Sequence, residues 1–165
     1  MMATNNYKPH LHVLPEDDAN RQMANGFILN PNLNERVIQI LPIVGGWAKV
    51  LQEFKDNHVR AMERYSERRM VLIIDFDNDR GRIDNVKKII PENLTDRVFV
   101  LGVLSNPGKL NSQFNNKGLE NIGTSLSREC SDNTWEVWEH DLLKHNQAEL
   151  ARMVESVKPF LFKSV

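Results

Sequence analysis

The chain has 165 residues, of which 41% are hydrophobic and 26% are charged, and its net charge is -1. This length suffices for one domain with a full core, and the near-zero charge excludes a protein that attracts nucleic acid through an overall positive field. The single Cys130 excludes an internal disulfide, and the most apolar window, residues 37–51, is interrupted by Pro42 and too short to span a bilayer. We therefore expect a cytoplasmic protein without a membrane partner.

Alternating elements fill the first two thirds of the chain. Four apolar runs rich in β-branched residues predict strands at residues 10–14, 37–43, 70–75 and 97–103. Apolar residues recurring every three or four positions predict a helix at residues 47–65. Acidic residues at the start of residues 16–26 indicate a second helix there, and a short helix is expected at residues 83–90, ended by Pro91. This βα alternation predicts an α/β fold with a Rossmann-like parallel sheet flanked by helices.

The last third of the chain, from about residue 105 to 165, reads as a helical C-terminal extension of the same domain, whose core covers about residues 9–104. Apolar spacing predicts helices at residues 118–130 and 135–158, separated by a polar break at 131–134. His140 and His145 fall on the second of these helices, where we expect a solvated surface. Cys130 is expected to be a buried structural residue.

The third predicted strand runs directly into acidic residues. Met70 to Ile74 is followed by Asp75, Asp77 and Asp79 at alternate positions. Ligands bind beyond the carboxyl ends of such strands, and alternate residues of an extended chain project to one side. Carboxylates this close repel one another unless a cation lies among them, and oxygen ligands favour Mg²⁺ or Mn²⁺. The alternative is a polar strand end that leads into a turn.

Two other strand ends carry residues suited to the same site. Glu16 follows the first strand and Gly45-Gly46 follows the second, so all three ends should share one edge of a parallel sheet. Glu16 could equally stabilise the positive end of the following helix. Two glycines permit positive φ or a close approach of the backbone to a phosphate. Arg80 and Arg82, directly after the acidic residues, are candidates for phosphate contacts.

These motifs together resemble the Toprim domain of topoisomerases, primases, ribosomal RNA maturases and overcoming-lysogenization-defect nucleases. The matching segments are Leu14-Pro15-Glu16, Ile43-Val44-Gly45-Gly46 and Asp75-Phe76-Asp77, and the resemblance covers roughly residues 9–104. Asp17 stands where the family often has glycine. Asn20 stands where the nuclease branch often has a second acid, which leaves Asp17 or Asp18 as the replacement.

The resemblance implies an enzyme that cleaves a phosphodiester of DNA or RNA with Mg²⁺ or Mn²⁺. It implies catalytic roles for Glu16, Asp75 and Asp77, and the same three residues with Asp79 would be the metal ligands. The implied phosphate-binding residues are Gly45, Gly46, Lys49, Arg80 and Arg82. The alternative is a non-catalytic Toprim-like module that binds nucleic acid, a nucleotide, a protein partner or a second copy of itself.

Asp75-Phe76-Asp77 also resembles the motif of haloacid-dehalogenase phosphatases. That family places its nucleophilic aspartate on the first core strand, whereas this motif follows the third predicted strand, and Asp79 occupies the position of a threonine or valine. A calcium loop starting at Asp75 would need glutamate at its twelfth position, which is Val86. The metal-dependent phosphodiesterase therefore remains the leading hypothesis.

Overall fold

The computed structural model describes residues 3–163 and confirms the predicted α/β architecture. Its sheet has four strands, all parallel, in the order β2-β1-β3-β4. The strands are β1 (His10–Pro15), β2 (Ile38–Ile40), β3 (Arg68–Ile73) and β4 (Val98–Leu101). The two central strands, β1 and β3, are therefore neighbours although a strand, three α-helices, a 3-10 turn and a π-helical turn separate them in sequence.

Helices connect the strands and form the C-terminal part of the chain. They are α1 (Asp18–Phe27), α2 (Trp47–Glu53), α3 (Val59–Arg64), α4 (Arg82–Lys87), α5 (Pro107–Gln113), α6 (Leu119–Asp132) and α7 (Gln147–Leu161). One π-helical turn, Phe54–His58, joins α2 to α3, and 3-10 turns span Glu35–Val37, Glu92–Arg97 and Lys144–Asn146. No helix within residues 3–163 combines the length and apolar character needed to cross a membrane.

Both faces of the sheet are buried, which explains why residues 13–15 of β1 and 70–73 of β3 are continuously apolar. On one face, Met70 and Leu72 pack in a core with Phe54 of the π-helical turn and Met62 of α3. On the other face, Leu11 and Val71 share a core with residues of α1, α6 and α7. Cys130 lies buried in this second core, as predicted, and burial raises the pKa of its thiol to about 12.

Side chains of α7 and of the 3-10 turn that precedes it cover the outer edge of β4. The backbone N–H of Gly102 donates to Asn146 Oδ1 (3.0 Å), and that of Val100 donates to Glu149 Oε1 (3.3 Å). Arg152 Nη2 donates to the carbonyl of Val98 (3.1 Å). These contacts satisfy backbone groups that an edge strand would otherwise offer to another chain.

The predicted helix at 135–158 is wrong in its first half. Residues 135–146 form turns and a 3-10 segment, and only Gln147–Leu161 is α-helical. The reason is the buried carboxylate of Glu129, which accepts the backbone N–H groups of Glu136, Val137 and Trp138 and holds this segment in a turn. Consequently His145 lies on a 3-10 turn, partly buried, with Nε2 2.8 Å from the carbonyl oxygen of Gly102.

The second strand is shorter than predicted. Val37 belongs to a 3-10 turn, and the strand covers only Ile38–Ile40 instead of residues 37–43. Pro42 has no N–H to donate to a strand ladder, which limits the strand at its end. The predicted helix at 83–90 is also shorter, and lies at Arg82–Lys87.

Candidate metal site

The carboxyl ends of β1 and β3 bring Glu16 and Asp75 together. Pro15 is in register with Ile73, and the N–H of Glu16 continues the ladder by donating to the carbonyl of Ile73 (2.9 Å). The backbone N–H of Asp75 donates to Glu16 Oε2 (2.6 Å). This contact fixes the carboxylate of Glu16 against the backbone of the neighbouring strand end, where the sequence predicted the two residues to meet.

Asp17 completes a group of three carboxylates. Glu16, Asp17 and Asp75 each offer one oxygen within 4.8 Å of those of the other two, and Glu16 and Asp75 are buried. Asp17 also caps α1, because its Oδ1 accepts the backbone N–H of Asn20 (3.0 Å). These three residues could hold a metal ion, since they present only hard oxygen donors from two neighbouring strand ends.

Asn20, on the first turns of α1, links two of these acids. It is 0% exposed, and its Nδ2 donates to Asp17 Oδ1 and to Asp75 Oδ1, each at 3.0 Å. Its Oδ1 is buried and has no hydrogen-bond partner within residues 3–163. A buried carbonyl oxygen without a partner is uncommon in proteins, because its desolvation is not compensated.

Burial makes the charged form of these acids unfavourable. Burial raises the pKa of Asp75 to about 7, the hydrogen bond from Asn20 opposes the rise, and the charges of Glu16, Asp17 and Asp77 add to it. Burial also raises the pKa of Glu16, against the hydrogen bond from the N–H of Asp75. Both shifts would be reversed by a cation among the carboxylates, which favours their charged forms.

Asp77 and Asp79 do not join the group of three acids. Asp77 leaves the extended conformation with φ at 47°, and its N–H donates to the carbonyl of Ser105 (3.2 Å). Its side chain is 59% exposed and pairs with Arg82 Nη1 (2.8 Å). The exposed Asp79 accepts the N–H of Gly81 (3.0 Å) in a local turn. The alternate spacing of the aspartates therefore does not put them on one side, because the chain turns at Asp77.

Arg82 lies beside the acidic residues and is mostly buried. Its Nη1 donates to the carbonyl oxygen of Asp75 (2.7 Å) as well as to Asp77, and its guanidinium stacks 4.6 Å from the ring centre of Trp47. Its Nε is buried and has no partner in the described part of the chain. Arg80, by contrast, is exposed. Of the two arginines predicted to contact phosphate, Arg82 is thus the one held at the site.

The glycine turn has the backbone conformation that the sequence predicted. Gly45 and Gly46 have φ values of 86° and 144°. Their N–H groups donate to the carbonyl of Glu16, at 2.8 and 3.4 Å, so the turn is tied to the end of β1. Lys49, on the first turn of α2, is exposed. The turn therefore holds the backbone of Glu16, and Lys49 extends from the surface of α2.

The sequence suggested Asp17 only as a replacement for a missing acid, and it did not predict that Asn20 contacts the acidic residues. The available signal was the spacing of Asp17 and Asn20 at the start of a helix, which is that of an N-cap and its third residue. That spacing predicts the contact between the two residues. It does not predict that Asn20 also reaches Asp75, which is 55 residues away in sequence.

No protein-family model, no curated protein and no solved structure matches this chain.

Proposed function

We propose that this protein is a Toprim-like enzyme that cleaves phosphodiester bonds of nucleic acid with Mg²⁺ or Mn²⁺. The observation that supports this most is the meeting of buried Glu16 and Asp75, with Asp17, at adjacent carboxyl ends of a parallel sheet. The carboxyl edge is where open α/β sheets bind ligands. Carboxylates with perturbed pKa values are also frequent in active sites.

The donor set fits a hard divalent cation. Glu16, Asp17 and Asp75 would hold the ion, because all three offer carboxylate oxygen and no nitrogen or sulfur ligand competes for the choice of metal. When bound, such an ion polarises a phosphoryl oxygen and lowers the pKa of bound water.

The residues of the chain would then have distinct roles. Glu16, whose pKa is raised by burial, would be a metal ligand or the group that accepts and returns a proton. Arg82 places a permanent positive charge next to the acids, and its charge would attract a phosphate group to this edge. The hydrogen bonds of Gly45 and Gly46 to the carbonyl of Glu16 keep the end of β1 in place.

The test is cleavage of plasmid DNA, single-stranded DNA and RNA by the purified protein with Mg²⁺ or Mn²⁺. The Glu16→Gln variant should lose on the order of a hundredfold or more of the rate at an unchanged melting temperature, as expected for lost proton transfer. Glu155→Gln is the matched control, because Glu155 is an exposed glutamate on α7. It should cleave at the rate of the wild type.

A loss of stability without a loss of rate in Glu16→Gln would contradict the role of Glu16. A wild type that binds Mn²⁺ but cleaves none of these nucleic acids would favour the second candidate, a binding module without catalysis. One observation favours that candidate: Asp77 pairs with Arg82 and stays outside the acidic group, which leaves three carboxylates for a metal. Such a module would bind a nucleotide, nucleic acid or a protein.

A further inference from the structure

We propose that the core between the sheet and helices α1, α6 and α7 contains a binding site for a small apolar molecule. A cavity of about 80 Å³ lies in this core. Its walls include Val13 of β1, Val71 of β3, Met23 of α1 and Met153 of α7. The inference is independent of the proposed metal site, because the three acids of that site are not among the walls.

The two faces of the central strands are packed to different degrees. Met70 and Leu72, which face the other core, are 0% exposed, whereas Val71 between them faces the cavity and is 3% exposed. Of the residues that line the cavity, only Phe27 and Ile73 are half-buried, and the rest are buried. The cavity is therefore too enclosed for a peptide or a nucleic acid, and its size and burial suit a small molecule.

The walls of the cavity favour an apolar guest over water. Two wall side chains in the described chain carry N–H groups, and these groups already have partners. Nδ2 of Asn146 donates to the carbonyls of Gly102 and Leu143, each at 2.9 Å, and its Oδ1 accepts the N–H of Gly102 (3.0 Å). Nε1 of Trp138 donates to the carbonyl of Leu126 (3.1 Å). Because a buried water molecule needs two to four polar partners, this cavity does not suit water.

The volume of the cavity limits the size of the guest. A single buried water needs about 10–15 Å³, and a cavity of about 150 Å³ accepts benzene or xenon. A cavity of about 80 Å³ is therefore large enough for xenon or for a hydrocarbon of a few carbon atoms. Such a guest supplies the dispersion contacts that the wall atoms lack on the cavity side. Met23 and Met153 are unbranched and flexible, so their side chains can adjust to it.

The first test is a crystal structure of the full chain under xenon pressure, in which xenon is located by its anomalous signal. The expected result is a xenon atom in the cavity, in contact with Val71 and Met153. A wild-type crystal with no xenon in this cavity would overturn the proposal, and so would a cavity that holds hydrogen-bonded water molecules in place of xenon.

The second test is the affinity for xenon in solution, measured by NMR titration with dissolved xenon. Val71→Ile adds one methyl group at the wall and should weaken xenon binding about fourfold, the equivalent of one methylene group of apolar contact. Val100→Ile is the matched control, because Val100 lies on the neighbouring strand, faces the other core and is 0% exposed. It should keep the xenon affinity of the wild type and should lower the melting temperature, since that core has no room for another methyl group.

The outcomes separate this inference from the proposed function. Equal xenon affinities of Val71→Ile and the wild type would overturn the site, and so would an equal loss of affinity in Val71→Ile and Val100→Ile. If Val71→Ile does not fold, the xenon structure of the wild type still decides, because it does not depend on a variant. Neither measurement involves a divalent cation, so neither result changes the test of the metal-dependent enzyme.

Discussion

Replacing Asp75 by asparagine should make the metal-free protein more stable at pH 8. The folded protein raises the pKa of Asp75 from 3.8 to about 7, chiefly because the carboxylate is buried. The folded state therefore binds this proton more tightly than the unfolded state does. The contribution of Asp75 to stability is complete below pH 3.8 and is lost as the pH rises toward 7.

The size of the effect follows from the shift. About three pKa units correspond to about 4 kcal/mol, which is the destabilisation by ionised Asp75 at pH 8. Between pH 5 and pH 8 the unfolding free energy of the wild type should fall by about 3 kcal/mol relative to that of Asp75→Asn, which lacks this titration. Asparagine keeps an acceptor for Asn20, so the bridge to Asp75 need not be broken.

The assay is urea unfolding in EDTA at pH 5 and pH 8, followed by the same measurement with excess Mn²⁺. At a hundredfold excess over its dissociation constant, Mn²⁺ should stabilise the wild type by about 2.7 kcal/mol, and it should leave Asp75→Asn unchanged. Asp132→Asn, at an exposed aspartate of α6, is the control and should stay within about 0.5 kcal/mol of the wild type. The reasoning is refuted if Asp75→Asn is less stable than the wild type at pH 8 without metal.

Two further predictions concern the opposite end of β1 and the glycine turn. Burial lowers the pKa of His12 from 6.5 to about 3, so acid should destabilise the protein by about 2 kcal/mol through His12 between pH 7.5 and pH 5. Between pH 7.5 and pH 5 the unfolding free energy of the wild type, measured with urea, should therefore fall by about 2 kcal/mol relative to that of His12→Gln, and Thr4→Val, which lacks the hydroxyl bonded to His12, should follow the wild type; the same pH dependence in all three would contradict the prediction. Gly46→Ala should cost about 1–3 kcal/mol of unfolding free energy, because φ of 144° is nearly closed to other residues. The control Gly81→Ala, at φ of -76°, should cost less than 0.5 kcal/mol, roughly the range of surface changes; equal costs would show that the turn does not require glycine.

Strands β3 and β4 were predictable because their apolar runs reflect burial. In β3 and β4, helices cover residues on both faces of the sheet. The resulting apolar run predicts a buried strand from the local sequence alone. The segment 135–146 was not predictable in the same way. Its apolar residues have helical spacing, but its backbone donors are taken by Glu129, a residue on another element. A local pattern cannot show that competition.

The same distinction applies to the site. Glu16 and Asp75 follow adjacent parallel strands, so topology alone brings them to one edge. Asp77 turns away from the acidic group because its own backbone is left-handed and its N–H donates to the carbonyl of Ser105. The alternate spacing of the acids predicts neither of these features. The contact of Asn20 with Asp75 joins the start of α1 to a strand end 55 residues away in sequence, which local spacing does not reveal. The sequence thus predicted the edge of the sheet that carries the site and the meeting of Glu16 with Asp75. The placement of Asn20 and Asp77 relative to them could be seen only in the fold.

The distribution of uncompensated polar atoms also favours function at this edge over a purely structural role. Of the five buried side-chain atoms without partners in residues 3–163, two lie on the site residues Asn20 and Arg82. Two more lie on Ser105, whose carbonyl accepts the N–H of Asp77, and on His145, whose ring packs against Phe76. Folded proteins satisfy most buried polar groups, and exceptions collect where a ligand or water is bound. A strand end that served only as a turn would not need two of these atoms on Asn20 and Arg82, which both donate hydrogen bonds to Asp75, a buried residue with a raised pKa.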